Sequence, residues 1–430
     1  MSSIINSILD PVQIPRMVKV RQIFPDQVVS DIPGEIRKQI NAKNLMSRIK
    51  PGQTVAITAG SRGISNLPLM IREICNCVKD AGAHPFLVPA MGSHGGATAE
   101  GQTDMLRGMG ITEETVGAPI KASMEVVQVG TSHNGLPAYI DKNAYEADAI
   151  IIINRVKPHV AFKGAVESGL QKMITIGLGK LKGAETCHNL GFGKMAENVP
   201  AIAKVILEKT NLVFGIAVLE NAYEQTMKIV ALGNEEIIRE EPALLLEAKQ
   251  NVPRLHFGEF EALILDELGK NISGTGMDTS VIGKYHTPYA NDGTGPKVTR
   301  HAVLDLTEQS HGNANGIGLA DYTTRRLFNK IIFEQTYPNS LTSTVPESIK
   351  IPMVLENDRL AIQACIRCSN VPDRSKVRVV MIKNTIYLEH ILISENMLEV
   401  ARNNRQIEIL SDPFELPFDE NGNLLYKHDS

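Results

Sequence analysis

The sequence predicts an α/β fold of two domains, and three observations predict it. Apolar runs of strand length alternate with stretches whose apolar residues recur every three or four positions, the pattern of a largely parallel sheet flanked by helices. A chain of 430 residues is longer than one compact core usually holds. Pro253 ends a predicted helix and a new strand follows, which places a boundary within 252–260. We therefore expect an N-terminal α/β domain at 1–255, a smaller C-terminal α/β domain at 256–430, and a site in the cleft between them.

Apolar periodicity predicts the elements of the N-terminal domain one by one. A strand at 54–58 leads through a short loop into a helix with an apolar stripe at Ile64, Leu67, Ile71, Ile74 and Val78. A strand at 85–91 precedes a glycine-rich loop and a helix that opens at Thr98, a good N-cap residue. Asn134-Gly135 favours the tight turn of a hairpin. The later elements are a buried strand at 149–153, helices at 196–209 and 235–250, and strands at 212–219 and 227–232.

The C-terminal domain begins with a strand at 262–266 and contains two long polar loops rich in glycine, at 269–284 and 307–322. Surface loops of that length often carry function, and the first of them contains Lys270 and Lys284. The acidic segment after Asp412 contains many turn residues and is predicted to be loosely ordered.

Composition excludes several classes of protein. A net charge of −4 and a pI near 6.3 give no basic surface for nucleic acid. Neither a secretory signal nor a membrane span is expected, because no apolar run has the required form. Five cysteines fit a reducing cytoplasm, and Cys365-Ile366-Arg367-Cys368 lacks the second pair or nearby histidine of a metal site. We therefore expect a cytoplasmic protein that binds a small molecule.

Three polar residues each follow the carboxyl end of a predicted strand, namely Arg62, His94 and His159. Ligands of open parallel sheets bind beyond these strand ends, so the three side chains are expected to share one rim. Each also has a purely structural interpretation. His94 could hydrogen-bond its own turn, His159 could be a turn residue after Pro158, and Arg62 could pair with a surface carboxylate.

The stretch 157–188 is the most informative part of the sequence, because it places His159 and His188 on either side of Lys172. These residue types bind metals, move protons or hold a cofactor covalently. If the stretch is helical before Lys172, the small residues Ala165, Ser168 and Gly169 share its face, and an opposite apolar stripe packs on the sheet. A frame of small residues leaves room for a bulky ligand at the lysine. The alternative is that His188, next to Cys187, is only a half-buried structural side chain.

Taken together, these motifs resemble the nickel-dependent lactate racemase family, in particular a shorter branch of its 2-hydroxyacid racemases and epimerases. The resemblance covers most of the chain. His94 follows a Gly-Ser turn, His159 follows a proline after a buried strand, and His188 follows Lys172 by sixteen positions, as in that family. The blocks at 270–278 and 306–326 resemble the shorter branch.

The resemblance implies a cofactor and a role for each residue. The cofactor is a nickel-pincer nucleotide, the Ni(II) complex of pyridinium-3-thioamide-5-thiocarboxylic acid mononucleotide, and separate biosynthetic enzymes supply it. Lys172 would hold it covalently and His188 would bind the nickel. His94 and His159 would act as general bases on the hydroxyl of a 2-hydroxy acid, and Arg62 would pair with its carboxylate. Hydride transfer requires such a cofactor, since no side chain accepts a hydride.

Two departures from the family concern the substrate. The longer members have a Tyr-Gln-x-x-Lys segment in the second domain that this sequence lacks, and Lys270 or Lys284 is the candidate to replace its lysine. His159 also lies thirteen positions before Lys172, a longer gap than usual in the family. Both changes favour a substrate larger than lactate, such as a sugar acid.

Two other functions remain open at this point. One is a metal-dependent isomerase or lyase in which His94, His159 and His188 bind the metal directly. The other is a nucleotide-binding or carrier protein without catalysis. For the enzyme, we also expect the two domains to close over the site and exclude water.

Overall fold

A computed structural model of the chain describes residues 4–61 and 63–428. Its contacts divide the chain into two compact units, Asp26–Val252 and a second unit formed by Met1–Pro25 together with Pro253–Ser430. The start of the second stretch at Pro253 lies inside the predicted boundary of 252–260. The predicted domain 1–255 differs from these units at its N-terminus, because the segment Met1–Pro25 groups with the C-terminal part of the chain.

The described residues form strands and α-helices with the following bounds. The strands are β1 Met17–Gln22, β2 Thr54–Ala59, β3 His84–Pro89, β4 Val126–Thr131, β5 Pro137–Asp141, β6 Ala149–Arg155, β7 Leu212–Glu220, β8 Thr226–Gly233, β9 Glu259–Leu268, β10 Lys297–Leu306, β11 Tyr322–Thr324, β12 Met353–Leu355, β13 Val379–Ile382, β14 His390–Ser394 and β15 Ile407–Ile409. The helices are α1 Ile4–Leu9, α2 Ile32–Ala42, α3 Leu67–Asp80, α4 Ala99–Gly108, α5 Glu113–Val116, α6 Lys142–Tyr145, α7 Leu170–Lys172, α8 Lys180–His188, α9 Met195–Lys209, α10 Asn234–Asn251, α11 Thr279–Ile282, α12 Arg325–Lys330, α13 Phe333–Ser343, α14 Asp358–Arg367 and α15 Leu398–Arg402.

The unit Asp26–Val252 is built on a five-stranded sheet in the order β3-β2-β6-β7-β8. The first four of these strands are parallel, and β8 returns antiparallel to β7. The isoleucines of β6 are buried because this central strand is covered on both faces. The α/β class, the parallel sheet and the Asn-Gly hairpin, which joins β4 to β5, are confirmed.

The segment before Lys172 corrects the sequence prediction. A helix was expected to carry Ala165, Ser168 and Gly169 on the face of Lys172, whereas the chain is irregular from 157 to 169 and helix α7 begins at Leu170. The backbone of Lys157 instead pairs with that of Ser168, with N–H···O distances of 2.8 and 3.2 Å in the two directions. The segment is therefore a loop closed at its base, and no small-residue helical face frames the lysine.

The second unit contains an eight-stranded mixed sheet in the order β12-β11-β10-β9-β13-β14-β1-β15. Strands β12 to β13 run parallel, and β14, β1 and β15 alternate in direction. Strand β1 is thus an interior member of a sheet whose other strands all come from the C-terminal part of the chain, from β9 onward. This pairing explains why the segment Met1–Pro25 groups with the C-terminal part of the chain.

The C-terminal segment after Asp412 is packed, in contrast to the predicted loose tail. Phe414 exchanges two backbone hydrogen bonds with Met17 of β1, at 2.8 and 2.9 Å. The His428 side chain is 1% exposed, and its Nδ1 lies 2.7 Å from a carboxylate oxygen of Asp266. Phe414, Leu416, Phe418, Leu424 and Tyr426 lie against the apolar core of this unit. Composition suggested a loose tail, but these tertiary contacts hold it in place.

Two further sequence predictions concern cysteines and membranes. Cys365 is buried in α14, and Cys368 caps the C-terminus of that helix. Burial raises the pKa of the Cys365 thiol well above its usual value. Among the described helices, none has the length and apolar character that a membrane crossing needs.

Candidate active site

The site lies at the carboxyl ends of β2, β3 and β6. Ser61 follows β2 and His94 follows β3, and the Ser61 hydroxyl lies 2.5 Å from Nδ1 of His94. Parallel neighbouring strands bring these two loops together, as the rim prediction requires. The hydroxyl can donate or accept, so either ring nitrogen of a neutral His94 can carry the proton.

Arg62 lies outside the described residues, and its predicted role stays a prediction. The loop on either side of it is well anchored. Ser65 donates its backbone N–H to a carboxylate oxygen of Glu220 at 2.7 Å, and Glu220 also forms a partly buried ion pair with Arg155. This loop is therefore fixed to the carboxyl ends of β6 and β7.

The loop that carries His94 contacts the segment that follows Lys172. Gly92 donates its N–H to the carbonyl of Gly177 at 3.2 Å. Gly92 has a φ of +58°, and a Cβ at this position would lie 3.1 Å from the side chain of Ile176. Only glycine suits both the left-handed backbone and the close approach. His94 is therefore held beside the element that begins with Lys172.

Lys172 ends α7 and continues into a π-helical turn at Met173–Gly177, a local geometry that is frequent at functional sites. A side chain at Gly177 would lie 2.6 Å from the sulfur of Met173 and 2.8 Å from the carbonyl of Ala90. The glycine therefore allows this turn to pack directly on the end of β3.

His159, Lys172 and His188 form one cluster. Phe192 lies between the two histidines, with its ring centroid 6.3 Å from that of His159 and 5.5 Å from that of His188. Burial, followed by the positive charge of Lys172, lowers the pKa of His188 to about 4. The same two causes, with smaller effects from His188 and two lysines, lower the pKa of His159 well below its usual value. Both imidazoles are therefore neutral at pH 7.

Glu167 organises the loop around His159. Its fully buried carboxylate accepts the backbone N–H of His159 at 2.7 Å and that of Gly164 at 3.3 Å, and Lys249 of α10 pairs with it at 2.6 Å. The backbone N–H of Ala161 donates to Nδ1 of His159 at 3.1 Å. Nδ1 is thus an acceptor, so the neutral ring carries its proton on Nε2.

A second carboxylate of α10 lies at the N-terminus of α7. Glu241 is 1% exposed and accepts the N–H of Gln171 at 3.0 Å. Burial raises its pKa to about 7, although the hydrogen bonds from Gln171 and Leu170 lower it. Helix α10 therefore positions both the His159 loop and the helix that carries Lys172.

The two other predicted substrate residues lie in the second unit. Nζ of Lys270 donates to the carbonyl of Gly274 at 2.6 Å, and Nζ of Lys284 lies 2.8 Å from a carboxylate oxygen of Asp321. Their assignment to the substrate stays a prediction.

Within residues 4–61 and 63–428, no three His, Cys, Asp or Glu side chains group as metal ligands. The three histidines of the direct-metal alternative therefore do not form a ligand set in this structure.

Sequence reasoning missed Ser61, Glu167 and Glu241, and also Gln102 of α4, whose side chain donates to the carbonyl of His94 at 3.2 Å. Ser61 adjoins Arg62, and Glu167 lies inside the stretch 157–188, so both were within segments already singled out. Gln102 and Glu241 are single polar residues on helices, and nothing in the sequence distinguishes them from solvent-exposed ones. Only their burial, at 0% and 1% exposure, marks them as part of the site.

The chain is an α/β protein in which polar side chains group at the carboxyl edge of a parallel sheet. Residues 11–199 match the family model of the lactate racemase N-terminal domain, and this range includes His94, His159, Lys172 and His188. The solved structure of the lactate racemase apoprotein from Thermoanaerobacterium thermosaccharolyticum is similar in fold, with a TM-score of 0.51 and 13% identity over 86% of this chain and 99% of that chain. A comparison with curated proteins finds no match. The match to the N-terminal domain model and the similar fold confirm the resemblance to the lactate racemase family that the motifs predicted.

Proposed function

We propose that this protein is a racemase or epimerase of a 2-hydroxy acid and that it uses a nickel-pincer nucleotide. The observation that carries the proposal is the cluster of Lys172, His159 and His188, with His94 held next to it. Such chemistry needs an amine that attaches the cofactor, an imidazole that binds the metal, and two further imidazoles that transfer protons. The match of residues 11–199 to the lactate racemase N-terminal domain model supports the same assignment.

The donor set fits the proposed cofactor. The lowered pKa of His188 leaves its imidazole neutral near pH 7, and a neutral imidazole is a good nickel ligand. Lys172 is the last residue of α7, and its charge acts on both histidines, which supports a shared site for the cofactor. When bound, this cofactor would supply the hydride acceptor that no side chain provides.

In our proposal the two catalytic histidines start from different protonation arrangements. When Nδ1–H of His94 donates to the Ser61 hydroxyl, Nε2 is the unprotonated nitrogen, and it would accept the proton of the substrate hydroxyl. His159 instead presents Nε2–H, because its Nδ1 accepts from Ala161. His159 would therefore donate to the substrate oxygen first, and it would act as a base only after its loop rearranges.

The substrate groups follow from the same chemistry. We propose that Arg62 pairs with the substrate carboxylate, since its planar guanidinium suits a bidentate contact. Lys270 and Lys284 are proposed to contact a longer substrate, such as a sugar acid. A small hydroxy acid and the enzymes that make the cofactor are the partners that this function requires, and the cytoplasm is the compartment that it suits.

Intact-mass and metal analysis of protein made in a host that supplies the cofactor tests the proposal. Wild-type protein is expected to carry added mass on the peptide containing Lys172 and close to one nickel per chain. Lys172→Ala should lose both, and His188→Ala should keep the added mass with less nickel. Lys182→Ala, which changes an exposed lysine of α8, is the control. Unmodified Lys172 without nickel in wild-type protein from such a host would overturn the proposal.

Turnover in heavy water tests the reaction itself. Hydride return keeps the original hydrogen on the substrate carbon, whereas proton abstraction would replace it with deuterium. Binding of the nucleotide without turnover of any 2-hydroxy acid tried would favour the non-catalytic alternative.

A further inference from the structure

A buried polar network lies between the His94 loop and the helix that ends at His188. Lys180, the first residue of α8, has a side chain with 0% exposure. Its Nζ donates to the carbonyl of Pro89 and, at 3.1 Å, to the side-chain oxygen of Gln102, and it lies 3.2 Å from a carboxylate oxygen of Asp141. The three N–H groups of the ammonium thus face three acceptors, each from a different element.

The position of this lysine is unusual enough to need an explanation. Its backbone φ is +54°, in the left-handed region that residues with a side chain rarely adopt. A buried Lys–Asp pair also loses hydration on both partners, and an apolar pair of similar size would often be at least as stable. Burial accordingly lowers the pKa of Lys180 and raises that of Asp141. Stability alone therefore does not account for the pair.

The ammonium fixes the orientation of the Gln102 amide. Because an ammonium only donates, the Gln102 oxygen must face Lys180 and its NH₂ group must face away. That NH₂ group donates to the carbonyl of Gly92 at 3.0 Å and to the carbonyl of His94 at 3.2 Å. Gln102 is fully buried, so no water competes for these bonds. The orientation of one side chain thus holds both carbonyls of the His94 turn.

We propose that Lys180 is a positioning residue, which acts through Gln102 to hold His94 in a fixed place relative to the segment 172–188. Asp141 is the counter-charge that keeps the ammonium in place. Asp141 belongs to β5, donates its backbone N–H to the carbonyl of Leu178 at 2.7 Å and accepts that of Ala144 at 2.9 Å, so it is itself rigid. The catalytic importance of this arrangement rests on the proposed function, whereas the mechanical coupling does not.

Hydrogen–deuterium exchange and the rate at which diethyl pyrocarbonate modifies His94 test the coupling in protein without cofactor. The variants are Lys180→Met, Gln102→Leu and the double variant Lys180→Met/Asp141→Asn, which removes the uncompensated charge if the single variant does not fold. Each should speed exchange in residues 90–98 by about tenfold, the effect of losing one or two buried hydrogen bonds. Modification of His94 should change by a similar factor. Exchange in residues 157–168 should stay near that of wild type, and Lys182→Met should change neither.

The outcomes separate the coupling from the proposed function. The positioning role is overturned if hydrogen exchange accelerates equally in residues 90–98 and 157–168. It is also overturned if exchange in residues 90–98 is unchanged in every variant that folds. With cofactor-loaded enzyme, the variants should lose about tenfold or more in kcat with little change in KM, because the histidine is misplaced and not removed. Faster exchange in 90–98 with no activity in wild type would retain the coupling and refute the proposed reaction.

Discussion

At the scale of single residues, the hydroxyl of Ser61 is the hydrogen-bond partner of Nδ1 of His94. Ser61→Ala removes this partner, and the ring then loses the hydrogen bond that orients it. We expect kcat/KM to fall by about tenfold, equivalent to roughly 1.4 kcal/mol for one lost hydrogen bond. Nitrogen NMR of labelled histidine should show the loss of the hydrogen bond at Nδ1 of His94 independently of the substrate. Ser65→Ala, in the same loop but with its hydroxyl bonded to Asn66, is the matched control, and an equal loss in both variants would contradict the assignment.

Glu167 provides a second prediction at this scale. Glu167→Ala leaves the backbone N–H of His159 without this acceptor and removes the carboxylate that pairs with Lys249. Because the carboxylate is fully buried but Lys249 is 31% exposed, we expect the free energy of unfolding to fall by about 2 kcal/mol, less than for a wholly buried pair. Glu247→Ala breaks a half-exposed pair on the same helix and should cost less than about 1 kcal/mol. Chemical denaturation measures both, and similar losses would argue against a structural role of Glu167 in the loop.

At the scale of elements, α10 makes the stability of the molecule depend on pH through Glu241. The folded-state pKa of about 7 lies above the ordinary value of 4.5, so the folded state holds this proton more tightly than the unfolded state does. The contribution of Glu241 to the free energy of unfolding is therefore fully present below pH 4.5. It decreases as the pH rises to 7 and stays low at higher pH. The expected loss is about 3 kcal/mol from a shift of this size.

Glu241→Gln is expected to remove that loss, because the amide oxygen still accepts the N–H of Gln171 but carries no charge. The variant should match wild type near pH 4.5 and exceed it at pH 8 in urea denaturation. Glu240→Gln, which changes the neighbouring half-exposed carboxylate, should follow wild type at every pH. An unchanged pH slope in Glu241→Gln would show that another group is responsible.

The same helix illustrates which elements the sequence could and could not predict. Strands such as β6 and helices such as α3 were predicted because their apolar period is local to the segment. The loop at 157–169 was predicted wrongly as helix, because its shape depends on Glu167 and on its ion pair with Lys249, which lies far along the chain in α10. For the site, local motifs predicted the cluster of His159, Lys172 and His188. The residues that position them act through tertiary contacts that no local pattern encodes.

At the scale of the whole molecule, the N-terminal segment is a structural part of the second unit. Strand β1 pairs with β14 at five positions and with β15 at three, so the sheet cannot keep this order without it. Gln363 of α14 also donates to the carbonyl of Val12 at 2.9 Å. The packed C-terminal segment adds a further contact between the two ends of the chain, since Phe414 pairs with Met17 of β1. The unit therefore depends on contacts between the two ends of the chain.

This arrangement predicts how fragments of the chain behave. Residues 26–252 contain a complete sheet with its core and should unfold cooperatively on their own. Residues 253–430 lack β1, whose side chains of Met17, Val18 and Val20 are fully buried. Losing three such side chains removes of order 5 kcal/mol, which approaches the entire stability of a typical domain. We therefore expect this fragment alone to show no cooperative thermal transition in circular dichroism.

A peptide of residues 1–25 added in trans should restore the transition, whereas a scrambled peptide of the same composition should not. Cooperative unfolding of 253–430 without the peptide, at the midpoint seen with it, would mean that β1 is dispensable.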